Sequence, residues 1–293
     1  MYEQLPTEGV DPDGPELDRL APGDIARLLL DEEERAREAV RSALDAVGAL
    51  CEAAADALRR GGRLIYVGAG TSGRLGVLDA SEMGPTFGAP RGQVVGLLAG
   101  APDALTPSVE GVEDDPVAGA SDLESLRPGA ADLILGITMS GTAAYVASAL
   151  SAATTAGSMT ALLTANAGSS LEARMRVVLD LGPELLAGST RLKGGSATKM
   201  VLNRVSTSAM AASGAVYRNR MVRVRPTNRK LRARAERLVA ELGEVAPSRA
   251  RELLARAGDE VPVAVIMARR ALAADEARAA LETAGGVLRE ALA

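Results

Sequence analysis

Apolar and polar residues follow two different patterns along this chain. An amphipathic helical pattern, with Asp24 as its N-cap, runs to about Arg60, where Gly61 and Gly62 end it. From Leu64 onward, short apolar runs alternate with helical stretches. The runs predict strands near 64–68, 94–99, 132–138, 159–164 and 177–181. Buried strands separated by helices indicate an α/β fold with a doubly wound parallel sheet.

The same patterns divide the chain into three parts. Residues 1–60 combine an extended, Pro- and Gly-rich arm with the first helical segment. Residues 61–225 hold the predicted sheet and a long helix over about 196–213. Residues 226–293 form short amphipathic helices, which we interpret as a small all-helical C-terminal domain.

Composition narrows the chemistry that the chain can perform. The 293 residues contain no histidine, which removes the usual general base and zinc ligand and excludes a Ser-His-Asp arrangement. Proton transfer therefore falls to carboxylates, lysine or tyrosine. Cys51 is the single cysteine and lies in an apolar helical stripe, so disulfides within the chain and cysteine-based metal sites are also excluded.

Charge and hydropathy limit the partners. The formal net charge of −5 argues against a general nucleic-acid-binding protein, although residues 218–234 are strongly basic. We interpret this basic run as a solvated helix start or an interface. No apolar stretch reaches membrane-spanning length, and the N-terminal residues lack a secretory pattern. We therefore expect a cytoplasmic protein with no membrane partner.

The first candidate site follows the strand at 64–68. Gly70, Thr71 and Ser72 lead from this strand into a helix. Free backbone N–H groups at a helix start favour an anion, and the two hydroxyls suit the phosphate of a sugar phosphate. We therefore expect a phosphate-binding loop here.

A dinucleotide is the alternative ligand for this loop. Gly68, Gly70 and Gly73 are spaced as GxGxxG, the glycine pattern of dinucleotide-binding folds. Such folds place an acidic residue after the next strand to bind a ribose, whereas that strand here ends in Gly100-Ala101-Pro102. Because Asp103 comes directly afterwards, the dinucleotide alternative stays open, although the hydroxyls favour a sugar phosphate.

A second loop with the same chemistry follows the strand at 132–138. It contains Ser140 and Gly141 and leads into another helix. A Ser-Gly-Thr sequence at such a place is often only a helix cap, and that alternative stays open for the loop taken alone. Two hydroxyl-bearing loops at the same edge of one sheet favour a phosphate site.

The glycine-rich stretch 188–196 adds a third set of polar groups before the long helix. Ser189, Thr190 and Lys193 can bind a sugar hydroxyl, a carboxylate or a phosphate. The alternative is a capped helix start with Lys193 in solvent. A cation near a helix N-terminus is unfavourable unless an anion compensates it, so the position of the lysine points to an anionic neighbour.

Carboxylates are the candidates for acid and base catalysis. Glu82 lies beside Gly84 and Pro85, which we expect to end its helix. Residues 109–115 contain four carboxylates, among them Glu113. Glu82 and the acidic cluster can each be solvated surface residues. The cluster can also suggest a magnesium or calcium site, but its spacing matches no calcium-binding loop. Glu82 and the cluster together favour paired carboxylates for proton transfer.

Six segments of the chain share their sequence with one known family. They are Thr7-Glu8-Gly9, 64–88, 109–114, Ser140-Gly141, 188–209 and Thr227-Asn228. On these segments the chain resembles the N-acetylmuramic acid 6-phosphate etherases, a family of the sugar isomerase (SIS) superfamily that is related to the glucokinase regulatory protein. One loop departs from the family: where Ser-Gly-Arg-Thr-Pro-Tyr is usual, Thr142, Ala143 and Ala144 follow Ser140-Gly141.

The resemblance implies a flavodoxin-like SIS domain and a homodimer, and we expect the two subunits to share the site. It implies a carbon–oxygen lyase that cleaves the D-lactyl ether of N-acetylmuramic acid 6-phosphate in peptidoglycan recycling, with no metal, nucleotide or other cofactor. The open-chain sugar loses its C2 proton, lactate leaves C3, and water adds to the unsaturated intermediate. By this resemblance Glu82 protonates the departing lactate and then activates water, and Glu113 is the base at C2.

The resemblance also assigns eight residues to substrate binding. They are Gly70, Thr71, Ser72, Ser140, Gly141, Ser189, Thr190 and Lys193. The etherase hypothesis expects Glu82 and Glu113 to converge in one cleft with the hydroxyl-bearing loops. A noncatalytic phosphosugar-binding regulatory protein and an aldose–ketose phosphosugar isomerase are the two alternatives, and release of lactate separates the etherase from both.

Overall fold

A five-stranded parallel sheet carries the functional loops. The strands are β1 Leu64–Gly68, β2 Val94–Leu98, β3 Leu133–Ile137, β4 Met159–Thr164 and β5 Met175–Val178. Their order is β2-β1-β3-β4-β5, and every neighbouring pair is parallel. This order is that of flavodoxin-like folds, so the predicted doubly wound α/β sheet is confirmed.

The computed structural model describes residues 5–12, 14–226 and 228–293, so Thr227 of the resemblance lies outside the described residues. The chain forms two compact units. The first contains the sheet and extends to Ala80 and over Gly92–Ser206, and the second comprises Ser81–Arg91 and Thr207–Ala293. The three-part division predicted at 60/61 and 225/226 stays a prediction.

Helices flank the sheet and connect its strands. They are α1 Pro22–Ser42, α2 Leu44–Arg59, α3 Gly70–Phe87, α4 Pro116–Ser125, α5 Ala144–Thr155 and α6 Lys193–Met210. The helical stretch predicted up to Arg60 is therefore two helices that meet at Ala43. Asp24 is not its N-cap, because α1 begins at Pro22, whose fixed φ suits the first helical position. The Asp24 carboxylate instead accepts a hydrogen bond from Arg27.

Two element boundaries differ from prediction for identifiable reasons. Helix α3 does not end at Gly84 and Pro85 but continues to Phe87. A hydrogen bond from the N–H of Gly88 to the Gly84 carbonyl closes a helical turn around the proline. The apolar run predicts the last strand at 177–181, whereas the strand is Met175–Val178. The apolar residues beyond it are buried without belonging to the strand. An apolar run therefore predicts which residues are buried, whereas hydrogen bonding to β4 determines which residues form the strand.

The second unit is mainly helical, as the C-terminal pattern predicts. Its helices after α6 are α7 Arg229–Gly243, α8 Pro247–Arg256, α9 Val261–Arg270, α10 Ala274–Thr283 and α11 Leu288–Ala291. They bury one aliphatic core that includes Leu238, Leu253 and Ile266. A hairpin of two-residue strands, β6 Val216–Tyr217 and β7 Arg220–Met221, was not predicted because alternation over two residues cannot be detected. Among the described residues, no helix is long and apolar enough to cross a membrane.

Candidate functional site

A cavity of about 220 Å³ lies at the carboxyl ends of β1 and β3 in the first unit. In this strand order the connections leave β1 towards β2 on one side and β3 on the other, and ligands bind at such a switch point. Five separate parts of the chain form its wall. Its lining residues are Thr7, Glu8, Ala69, Gly70, Thr71, Ser72, Glu113, Ile137, Thr138, Met139, Ser140, Ala143, Gly188 and Thr190.

The first turn of α3 forms one wall. Gly70, Thr71 and Ser72 belong to this turn and not to a preceding loop. The turn lies against β1 because Gly73 has no side chain: a Cβ there would come within 2.4 Å of the Gly68 carbonyl oxygen. N–H groups in the first turn of a helix lack partners within the helix, so this wall suits a phosphate.

The loop after β3 forms a second wall, and its hydroxyls are linked to one another. The Ser140 hydroxyl lies 3.2 Å from that of Thr138 and 2.9 Å from that of Thr142. The residue at the N-cap of α5 is Ala143, and no side chain caps this helix. The helix-cap alternative for the loop is therefore wrong, and Ser140 lies at the cavity with its hydroxyl in a polar chain.

Gly141 shapes this loop from a buried position. Its φ of +71° is in the left-handed region, and a Cβ would come within 2.6 Å of the Ser169 Cβ. The Ser169 hydroxyl donates to the Gly141 carbonyl at 2.6 Å. Gly141 is not among the residues that line the cavity, so its assignment to substrate binding stays a prediction.

Glu113 lies between the cavity and a smaller one of about 160 Å³. It sits in the short turn Val112–Asp114, which Gly111 precedes with a φ of +76°. Partial burial raises the pKa of the Glu113 carboxyl, and the charges of Asp114 and Glu110 raise it further. A carboxyl whose pKa moves towards neutrality is suited to proton transfer.

Asp115, the last carboxylate of the acidic cluster, has a structural use. The Asp115 carboxylate accepts the N–H groups of Val117 and Ala118 at 2.9 and 3.0 Å, which makes Asp115 the N-cap of α4. Throughout 5–12, 14–226 and 228–293, no group of three or more acidic or cysteine side chains is placed to hold a metal ion. Of the cluster, Glu113 is the carboxylate at the larger cavity.

The loop before α6 brings Gly188 and Thr190 to the cavity, whereas Ser189 and Lys193 do not line it. Lys193 is only 1% exposed, so the alternative of a solvated lysine is wrong. Its Nζ lies 2.5 Å from the Glu32 carboxylate and donates to the Pro183 carbonyl at 2.7 Å. The substrate-binding roles of Ser189 and Lys193 stay untested.

The anion that compensates this lysine is provided by the chain itself. Glu184 is buried, and its carboxylate accepts the N–H groups of Lys193 and Gly194 at 3.1 and 2.8 Å, where α6 begins. Sequence reasoning expected an anionic neighbour but did not identify Glu184 or Glu32. Neither residue belongs to a recognisable sequence motif. The 161 positions between Glu32 and Lys193 also hide their contact from a reading of the sequence.

Glu82 is exposed on the part of α3 that belongs to the second unit. It is not among the residues that line the cavity of the first unit. The expected convergence of Glu82 with Glu113 therefore stays untested. Thr7 and Glu8, in contrast, line the cavity, although only the family resemblance singles them out in the sequence.

The sequence of this chain is similar to those of known proteins. The family model for the glucokinase regulatory protein N-terminal SIS domain matches residues 46–154. The N-acetylmuramic acid 6-phosphate etherases of Yersinia pestis (strain Pestoides F) and Yersinia pseudotuberculosis serotype O:1b (strain IP 31758) are each 46% identical over 290 residues, covering 98% of this chain and 98% of the relative. A solved phosphoheptose isomerase from Neisseria gonorrhoeae is 18% identical with a TM-score of 0.49, covering 64% of this chain and 98% of that chain.

The similarity to the two Yersinia proteins extends over both units. It includes every segment on which the sequence resemblance rests, since the alignments cover 98% of the chain. At 46% identity over this length, the chain belongs to the N-acetylmuramic acid 6-phosphate etherase family.

Proposed function

We propose that this protein cleaves the D-lactyl ether of N-acetylmuramic acid 6-phosphate to give N-acetylglucosamine 6-phosphate and D-lactate. One observation carries the proposal: Glu113, with its raised pKa, shares a cavity with the first turn of α3 and the Ser140 loop. The names of the curated relatives support the same reaction. The protein is then a carbon–oxygen lyase, and the expected location is the cytoplasm.

The cavity wall suits a phosphosugar. The N–H groups at the start of α3 and the hydroxyls of Thr71 and Ser72 bind the phosphate, with Ser140 and Thr190 as further donors. Gly141 and Ser189 shape the loops that carry these donors, and Gly70 lets the phosphate approach the backbone. No metal or nucleotide takes part in this scheme.

The reaction proceeds by elimination and then addition of water. Glu113 removes the C2 proton, which the C1 aldehyde of the open-chain sugar acidifies. The electron pair of that C–H bond forms the C2–C3 double bond while the C3–O bond breaks, and Glu82 gives a proton to the lactate oxygen. Glu82 then takes a proton from water, the hydroxide adds at C3, and C2 regains its proton from Glu113.

We further infer a homodimer with a shared site. Glu82 is exposed and is not among the residues that line the cavity with Glu113. The resemblance to a homodimeric family supports a second copy of the chain as the source of the Glu82 that meets Glu113.

The regulatory alternative has weaker support. The regulatory-protein model matches residues 46–154 alone, whereas the etherase relatives match nearly the full length. Neither that alternative nor the isomerase alternative releases lactate. Lactate release therefore decides between them and the etherase.

We expect the purified protein to release D-lactate from N-acetylmuramic acid 6-phosphate, one molecule for each N-acetylglucosamine 6-phosphate formed. An enzymatic assay for D-lactate measures this directly. Binding of the sugar phosphate without lactate would contradict the etherase function and favour the regulatory alternative.

Mixing two variants tests the shared site within the same assay. Glu82→Gln and Glu113→Gln chains are each expected to be inactive. Refolded together, they form mixed dimers in which one of the two sites has both glutamates, so about a quarter of the wild-type activity returns if pairing is random. No recovery in a sample shown to contain mixed dimers would contradict the shared site.

We expect Glu110→Gln to extend activity to lower pH. Glu113 acts as a base only when deprotonated, so kcat/KM rises with pH through its pKa. Removing the charge of Glu110 lowers this pKa, because that charge helps to raise it. The acidic limb of the pH profile therefore moves to lower pH, whereas in the control Glu124→Gln, on α4, the limb stays in place. An unmoved limb in Glu110→Gln would mean that another group sets it.

A further inference from the structure

Two polar side chains of the N-terminal segment line the cavity, and no step of the proposed reaction uses them. Thr7 and Glu8 lie in the short turn Pro6–Glu8, which precedes α1 in the chain. Their place at the cavity wall puts them in reach of a bound ligand.

The Thr7 hydroxyl is buried without a protein partner. Thr7 is 4% exposed, and its Oγ1 makes no hydrogen bond to any residue that the structure describes. Buried polar groups almost always have a partner, because leaving one unpaired is unfavourable. At a cavity wall, the missing partner is best supplied by the ligand.

Glu8 offers acceptor atoms at the same wall. Its carboxylate lies close to the backbone of Gly188: a Cβ on this glycine, whose φ is +78°, would come within 3.1 Å of the Glu8 Oε2. In the described part of the chain, no ion pair or side-chain hydrogen bond of Glu8 is formed. A carboxylate only accepts hydrogen bonds, so its ligand partner must be a donor, and a phosphate is excluded by like charge.

We propose that Thr7 and Glu8 form a subsite for the hydroxyl groups of the substrate's sugar, separate from the phosphate-binding turn of α3. This inference rests on the proposed function only in taking a sugar phosphate as the ligand. Sugar hydroxyls both donate and accept, which matches the carboxylate of Glu8 and the hydroxyl of Thr7. The arm before α1 thereby contributes to sugar recognition.

The test compares two ligands of the same site by calorimetry. N-acetylglucosamine 6-phosphate carries the sugar hydroxyl groups, whereas inorganic phosphate has none of them. In Thr7→Val and in Glu8→Gln, we expect the Kd of the sugar phosphate to rise about fivefold or more, as for the loss of one hydrogen bond, while the Kd of phosphate is unchanged. The unfolding temperature of ligand-free Thr7→Val should stay equal or rise, since the substitution removes an unpaired buried hydroxyl.

Glu16→Gln is the matched control, because Glu16 is an exposed acid of the same arm that pairs with Arg19 and does not line the cavity. An unchanged Kd of the sugar phosphate in both variants would overturn the subsite, as would equal losses for both ligands. Both Kd values are measured without turnover, so a wild type that binds the sugar phosphate but releases no lactate contradicts the proposed function alone. A wild type that does not bind the sugar phosphate contradicts both.

Discussion

Glu113→Gln lowers the rate of D-lactate release by about 10²- to 10⁴-fold, the usual contribution of a general base. The amide has nearly the same shape but cannot take the C2 proton. Glu113 makes no ion pair in the described chain and lies at a cavity wall, so the loss appears in kcat while the unfolding temperature is retained. Steady-state kinetics with a lactate assay measure the change.

A second readout isolates the proton-transfer step. In D₂O we expect the wild type to incorporate deuterium at C2 of the product and Glu113→Gln not to do so at a measurable rate. Asp114→Asn, the next residue in the same turn, is the control that keeps the base and most of the activity. A Glu113→Gln variant within tenfold of the wild type would exclude this residue as the base.

Lys193→Met destabilises the folded protein by about 2–3 kcal/mol, because it leaves a poorly solvated carboxylate without its partner. The Glu32 side chain is 16% exposed and loses its contact with Nζ, and the Pro183 carbonyl loses a donor. Glu32 keeps a second, longer contact with Arg35 at 3.2 Å, which places the loss below the largest values seen for buried pairs. Urea denaturation of the ligand-free protein measures it.

Two further variants make this prediction specific. Arg35→Met removes the exposed partner of the same carboxylate and should cost less than about 1 kcal/mol. Adding Glu32→Leu to Lys193→Met should recover most of the loss, since the poorly solvated carboxylate is then absent and Arg35, which loses its partner, is exposed. If Lys193 instead contacts the substrate, Lys193→Met would weaken binding of inorganic phosphate while leaving the urea midpoint in place.

The sheet could be predicted from the sequence because its central strands are buried on both faces. Every residue of β1 and β3 is buried, so their apolar runs stand out from the polar turns around them. The edge strand β5 could not be located as well, since half of its residues are only partly buried. Its limits are set by pairing with β4, which a single sequence does not contain.

From the sequence, only those parts of the candidate site that lie at the ends of strands could be predicted. Gly70, Thr71, Ser72 and Ser140 meet because β1 and β3 are adjacent, and the carboxyl ends of parallel strands share an edge. The position of Thr7 follows no such rule, because nothing in the arm's sequence indicates where it packs. The partner of Lys193 could not be predicted either, because Glu32 lies on a helix far away in the chain.

The contacts between α1 and α6 also determine when the cavity can be completed. Glu32 and Glu33 of α1 bind Lys193 and Ser196 across more than 160 residues of chain. During synthesis, α1 emerges long before these partners, so its docking against α6 cannot begin until all five strands have been made. The wall that carries Gly188 and Thr190 also follows the last strand in the chain, so a nascent chain that has completed its sheet sequence still lacks part of its binding cavity.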